Sequence, residues 1–107
     1  MRRGDIVTVA LQGDHGKPRP ALIVQSDHLL ASTHVAVLLL TSFQADAPLM
    51  RVAVEATSET GLSGNSYAML DRITTAPRSK VGAVIGHLDD AAMLIVNRVL
   101  TVFFGLA

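Results

Sequence analysis

From Ala83 to Gly105 the sequence reads AVIGHLDDAAMLIVNRVLTVFFG, and the spacing of its apolar residues changes partway along. Ala83–His87 has the short extended pattern of a strand. From Asp89 onward Ala92, Ile95, Val96, Val99, Leu100 and Phe103 recur at a period of about 3.6. Asp89 is placed to cap the helix start, Asp90 suits its positive end, and Gly105 stands where a C′ terminator is expected. The remaining faces carry Met93, Leu94 and Val102, so the helix is apolar most of the way round. That much apolar surface on one terminal helix of a small domain predicts burial against a second copy, a homodimer.

Everything upstream reads as strands. Asp5–Leu11 alternates, with Val7, Val9 and Leu11 on one face and Ile6, Thr8 and Ala10 on the other. Pro20–Gln25 is a second strand, His34–Leu40 a nearly continuous apolar run closed by Thr41 and Ser42, and Arg51–Glu55 a strict alternation with Val52 and Val54 inward. Ser66–Ile73 completes the set. Gln12–Lys17, Gln44–Leu49 and Thr57–Asn65 are connectors. Five or six short strands followed by one helix predict a mainly β fold, a small barrel or sheet with a C-terminal helical cap. Residues 1–107 are expected to form one domain.

Composition narrows the function. Half of the 107 residues are apolar, yet aromatics are few (Phe43, Tyr67, Phe103, Phe104), so aliphatic side chains must build the core. With no cysteine, disulfide and thiolate chemistry are excluded. Nine basic residues balance nine acidic ones, which argues against a general polyanion binder but leaves room for a local basic site. No secretory leader or membrane-length apolar run is present, and the simplest location is the cytoplasm. His15, His28, His34 and His87 lack metal-ligand spacing, so neither metal nor cofactor is expected. Phosphate-loop, dinucleotide and serine-hydrolase motifs are absent.

What remains is a scattered polar set. Arg19 lies between Pro18 and Pro20, which fix its backbone before folding begins. A guanidinium on a preset backbone suggests a placed charge, the alternative being a solvated arginine at a strand entry. Thr41 closes a buried strand, or bonds locally as strand-end hydroxyls do. Asp71 sits in an apolar strand, or pairs with Arg51 or Arg72. His15 is an imidazole in a loop, or an ordinary loop histidine. A guanidinium, a hydroxyl, a carboxylate and an imidazole near strand ends suit phosphodiester chemistry. Phe43 and Tyr67 are the stacking aromatics available outside the helix, with core placement as the alternative for both.

In the same order, RGDIVTVAL, KPRPALIVQSD, VAVLLLTS, NSYAMLDRITT and GHLDD resemble segments of the MazF/PemK (Kid) toxins, one half of bacterial type II toxin–antitoxin pairs. The resemblance runs from about Arg3 to Leu106. It implies an SH3-like small barrel with a C-terminal helix, a homodimer, and metal-independent, sequence-specific cleavage of single-stranded RNA, usually mRNA. It also implies a cognate antitoxin protein as partner. Arg19 matches the family's catalytic arginine and Thr41 its strand-end hydroxyl. Asp71 and His15 match acid–base positions used by some members, while Lys17, Ser42, Arg51, Arg72 and Arg78 become expected RNA contacts. The chain departs from the family pattern in a shorter Gln12–Lys17 loop, in Met69, and in RITTAP, which moves a cation to Arg72. From another class, the ending VFFGLA is reminiscent of the CcdB-like toxins, which share the barrel but bind DNA gyrase and cut nothing. Phe103 in the core and Gly105 as helix cap account for the same letters.

Overall fold

The computed structural model describes residues 1–11, 17–43 and 50–106. Six strands, β1 (Asp5–Val9), β2 (Arg19–Ile23), β3 (His34–Thr41), β4 (Arg51–Val54), β5 (Ser66–Pro77) and β6 (Val81–His87), precede one helix, α1 (Asp90–Phe103). All pairings are antiparallel, in the order β4-β5-β3-β2-β1-β6. The fold is therefore mainly β with a C-terminal helix. Among the described residues no helix is long and apolar enough to cross a membrane.

Of the four inner strands, β1, β2 and β3 bury both faces, which explains their low polarity. Ile6, Leu22 and Leu38 face α1 and pack with Leu40, Val54, Leu70, Met93 and Val96. On the opposite face Val7, Val9, Ala21, Ile23, Val35 and Val37 form a second cluster. The turn after β4 crosses to the far edge of the sheet, where His87 N–H donates to Glu59 C=O (2.9 Å). That contact joins the loop after β4 to β6.

Two strands run longer than their sequence pattern predicts. β5 continues past Ile73 to Pro77, and β6 begins at Val81 rather than Ala83. The reason in β5 is a break in register. Leu38 pairs with Ile73 and Leu40 with Ala68, so a two-residue advance on β3 spans five residues of β5. The bulge exposes Asp71 and Arg72 consecutively and interrupts the alternation on which the sequence reading relied.

Helix α1 starts as expected: the Asp89 carboxylate accepts from Ala92 N–H (2.8 Å). Replacing Asp89 with alanine is expected to lower stability by about 1 kcal/mol, read as a fall in thermal midpoint. At the other end Leu106 N–H donates to Thr101 C=O, Gly105 N–H donates to Val102 C=O, and Gly105 holds φ 70°. This is a Schellman terminator, so Gly105 acts as the helix cap.

The buried face of α1 differs from the expected one. Met93 (9% exposed) and Val96 point into the core, whereas Ile95 is 52% exposed and Phe103 lies at the surface. Met93 Cγ packs beside Gly4, 3.5 Å from where a Cβ there would stand. Leu94, Ile95 and Val102 consequently form an outward apolar stripe.

Candidate active site

The end of the sheet where β2 begins and β3 finishes is set by a proline. Gly4 N–H donates to Ile23 C=O, and Val24 N–H donates to Ala36 C=O on the β3 side. Backbone groups alternate along a strand, so the nitrogen of Pro20 faces β3 and has no proton to give. The ladder obeys: β2 pairs with β3 from Ile23 to Ala21 and no further, while it stays paired with β1 as far as Val9–Arg19. Arg19 and Thr41 each lie two residues past the last pair, Ala21–Leu39, at the same end of the two strands.

Both residues are open to solvent in part or whole: Arg19 is exposed and Thr41 half-buried. On the other side of β3 Thr41 pairs with Tyr67, and Tyr67 with Ala53. A guanidinium, a hydroxyl and a phenol ring therefore lie at the same end of the sheet. Thr41 Oγ1 also accepts from Phe43 N–H (3.2 Å), the local bond typical of strand-end hydroxyls. That bond uses a lone pair and leaves the hydroxyl proton available to an incoming acceptor.

Asp71 pairs with Arg51, whose Nη1 donates to its Oδ1. The alternative weighed from sequence for this carboxylate, pairing with a neighbouring arginine, is thus the observed arrangement. Register explains it: Arg51 sits opposite Met69, one diagonal step from Asp71. Arg51 Nε is buried and has no hydrogen-bond partner among the described residues. Lys17 and Ser42 are exposed, each one or two residues from Arg19 or Thr41, and Arg72 is exposed in the β5 bulge. Phe43 is 72% exposed rather than part of the core, and Tyr67 is half-buried.

Two of the sequence-derived residues do not join this group. His15 lies outside the described residues. Arg78 is at the opposite end of the sheet, following Pro77, which pairs with His34. Seven residue steps of ~3.3 Å separate His34 from Thr41, roughly 23 Å. There Arg78 Nη1 donates to Leu30 C=O and its backbone N–H to Thr33 C=O (2.8 Å), a structural clasp between β3 and β5.

Arg3 has a comparable structural role. Its Nε donates to Val24 C=O (2.9 Å), Nη2 to Asn97 Oδ1 (2.7 Å), and its backbone N–H to Asp27 (2.6 Å). It ties the chain start to β2 and α1.

Comparison with known proteins agrees with this architecture. The chain is 46% identical over 108 residues to a protein named "Probable endoribonuclease MazF" of Mycolicibacterium smegmatis, covering 100% of this chain and 99% of the relative. The fold matches the Mycobacterium tuberculosis toxin MazF-mt6 with a TM-score of 0.81 at 24% identity, over 94% of this chain and 96% of that one. It also matches an endoribonuclease from a mycobacterial species, solved with its cognate antitoxin (TM-score 0.78, 24% identity, 98% of this chain and 93% of that one). MazF in the MazE–MazF structure from Deinococcus radiodurans is similar as well (TM-score 0.77, 18% identity, 100% and 98%). None of these similarities favours the gyrase-binding alternative. Residues 2–104 match the sequence profile of the PemK-like, MazF-like toxins, and the chain belongs to that family of type II toxin–antitoxin systems.

Proposed function

We propose that this protein is a metal-independent, sequence-specific endoribonuclease that cleaves single-stranded RNA, mRNA included, as the toxin of its pair. The reading is supported by Arg19, exposed at the start of β2, and Thr41, half-buried at the end of β3, both lying beyond the last β2–β3 pair, Ala21–Leu39, at the same end of the sheet. The name of the 46% identical relative supports it.

The chemistry follows from the groups present. The 2′-oxygen of the RNA attacks the adjacent phosphorus, the P–O5′ bond breaks, and a 2′,3′-cyclic phosphate and a 5′-hydroxyl result. Negative charge grows on the non-bridging oxygens during attack. Arg19 meets that charge from a backbone position fixed by two prolines, and Thr41 donates its hydroxyl proton to one oxygen. Arginine stays protonated and is unsuited to proton transfer. We assign the proton of the 2′-OH and that of the leaving oxygen to Asp71 and His15. Lys17, Ser42, Arg51 and Arg72 position the neighbouring phosphates. Arg78, held by Leu30, is assigned to the fold instead.

Purified protein incubated with a long mixed-sequence RNA in EDTA is expected to give discrete cuts with cyclic-phosphate ends. DNA of the same sequence lacks the nucleophile and stays intact. Uncut RNA at protein excess would refute the assignment.

We further propose that the active form is a cytoplasmic homodimer, opposed in the cell by an acidic, partly disordered cognate antitoxin that folds onto the toxin. The outward stripe of Leu94, Ile95 and Val102 supplies the surface for self-association. Sedimentation at micromolar concentration is expected to give a dimer, and Ile95→Lys a shift toward monomer. A wild-type monomer under those conditions removes this part of the reading.

A further inference from the structure

We infer that Phe43 is a stacking platform for the base next to the scissile phosphate, an inference that rests on the ribonuclease reading. Phe43 leaves β3 two residues after Thr41, so its Cα stays within about 7 Å of the Thr41 Cα, one nucleotide step along a single strand. Its backbone is tied to the same hydroxyl that is assigned to the phosphate, through the 3.2 Å bond from Phe43 N–H to Thr41 Oγ1. Ring and hydroxyl are therefore positioned by one turn. The ring is 72% exposed, although a phenylalanine gains from burial.

The other two phenylalanines behave differently. Phe103 and Phe104 meet edge to face, 5.2 Å apart, at the far end of α1. Among the described residues Phe43 has no such ring partner. A base offers one: every base has a π-face, and stacking tolerates any sequence. With a net charge of zero, this protein has little general attraction for phosphates, so a stacking contact beside the cut gives the strand a second hold.

The cut mapped in the wild-type RNA digestion defines a short oligonucleotide for the test. Phe43→Leu is expected to lower kcat/KM about 5- to 150-fold, mainly through KM. Phe43→Tyr should keep most of the activity. An abasic nucleotide beside the cut should penalise the wild type and add little to the defect of Phe43→Leu. Unchanged kcat/KM in Phe43→Leu, or equal abasic penalties in both proteins, overturns the inference. So does a Phe43→Leu protein that cuts normally and loses only antitoxin affinity.

A second measurement does not depend on cleavage. The chain has no tryptophan, so Phe43→Trp introduces a single fluorophore. Mixed-sequence 2′-O-methyl RNA, which cannot be cut, is expected to quench it. Quenching by a protein that cuts nothing would retain the base contact while refuting the nuclease. Absence of quenching would overturn the base contact whether or not RNA is cut.

Discussion

Arg19→Ala is expected to lower kcat/KM for RNA cleavage by about 10²- to 10³-fold, the range found when one donor to a developing oxyanion is removed. The residue is exposed at the first position of β2, so its removal opens no cavity, and the thermal midpoint should move little. Arg19→Lys is expected to recover only part of the activity. An ammonium is a point charge on a flexible stem and loses the planar fork that fits two phosphate oxygens at once. The measurement is single-turnover cleavage of one mapped site, with circular dichroism on the same samples. Loss of both activity and fold would place Arg19 in the structure instead, and full activity would remove it from the mechanism.

The largest stability effect is expected at Gly61→Ala. Gly61 holds φ 67°, a conformation that costs roughly 1–2 kcal/mol with a side chain present. Its Cβ would also lie 1.9 Å from the backbone oxygen of Ile85, with no flexible side chain to give way. The neighbouring strand must move, and overpacking of this kind costs about 1–3 kcal/mol more. Gly86 shows the same closeness from the other side, where a Cβ would meet Thr60 backbone atoms at 2.2 Å. Together these predict a thermal midpoint lower by at least ~10 °C. Gly64→Ala, in the same loop with open space around it, is the control and should be nearly neutral. Equal midpoints for the two variants would contradict the close packing of this turn on β6.

Features governed by local chemistry were legible in the sequence. The alternation of β1 and β4, the Asp89 cap and the Gly105 terminator each depend on residues a few positions apart, and the structure has them as expected. The preset backbone of Arg19 belongs with them, because proline acts on its immediate neighbours.

Features set by distant residues were not legible. The buried side of α1 depends on strand residues such as Ile6, Leu22 and Leu38, which pack with Met93 and Val96 from up to about ninety residues away. Arg78 has the same charge as Arg51 and Arg72. Only tertiary structure shows that its partner is the carbonyl of Leu30. The polar set around Arg19 was partly readable, since residue types can be named from sequence. Its grouping depends on register, on which edge of β2 the Pro20 nitrogen faces, and on a β5 bulge that no periodicity announces.

The first strand of the sheet lies between β2 and the last strand, β6. A nascent chain can pair β1 with β2 early, but β1 keeps an open side until residues 81–87 have emerged and turned back. Contacts so distant along the chain form late. Until residues 81–87 are in place, β1 is an open sheet edge of the kind at which chains pair wrongly.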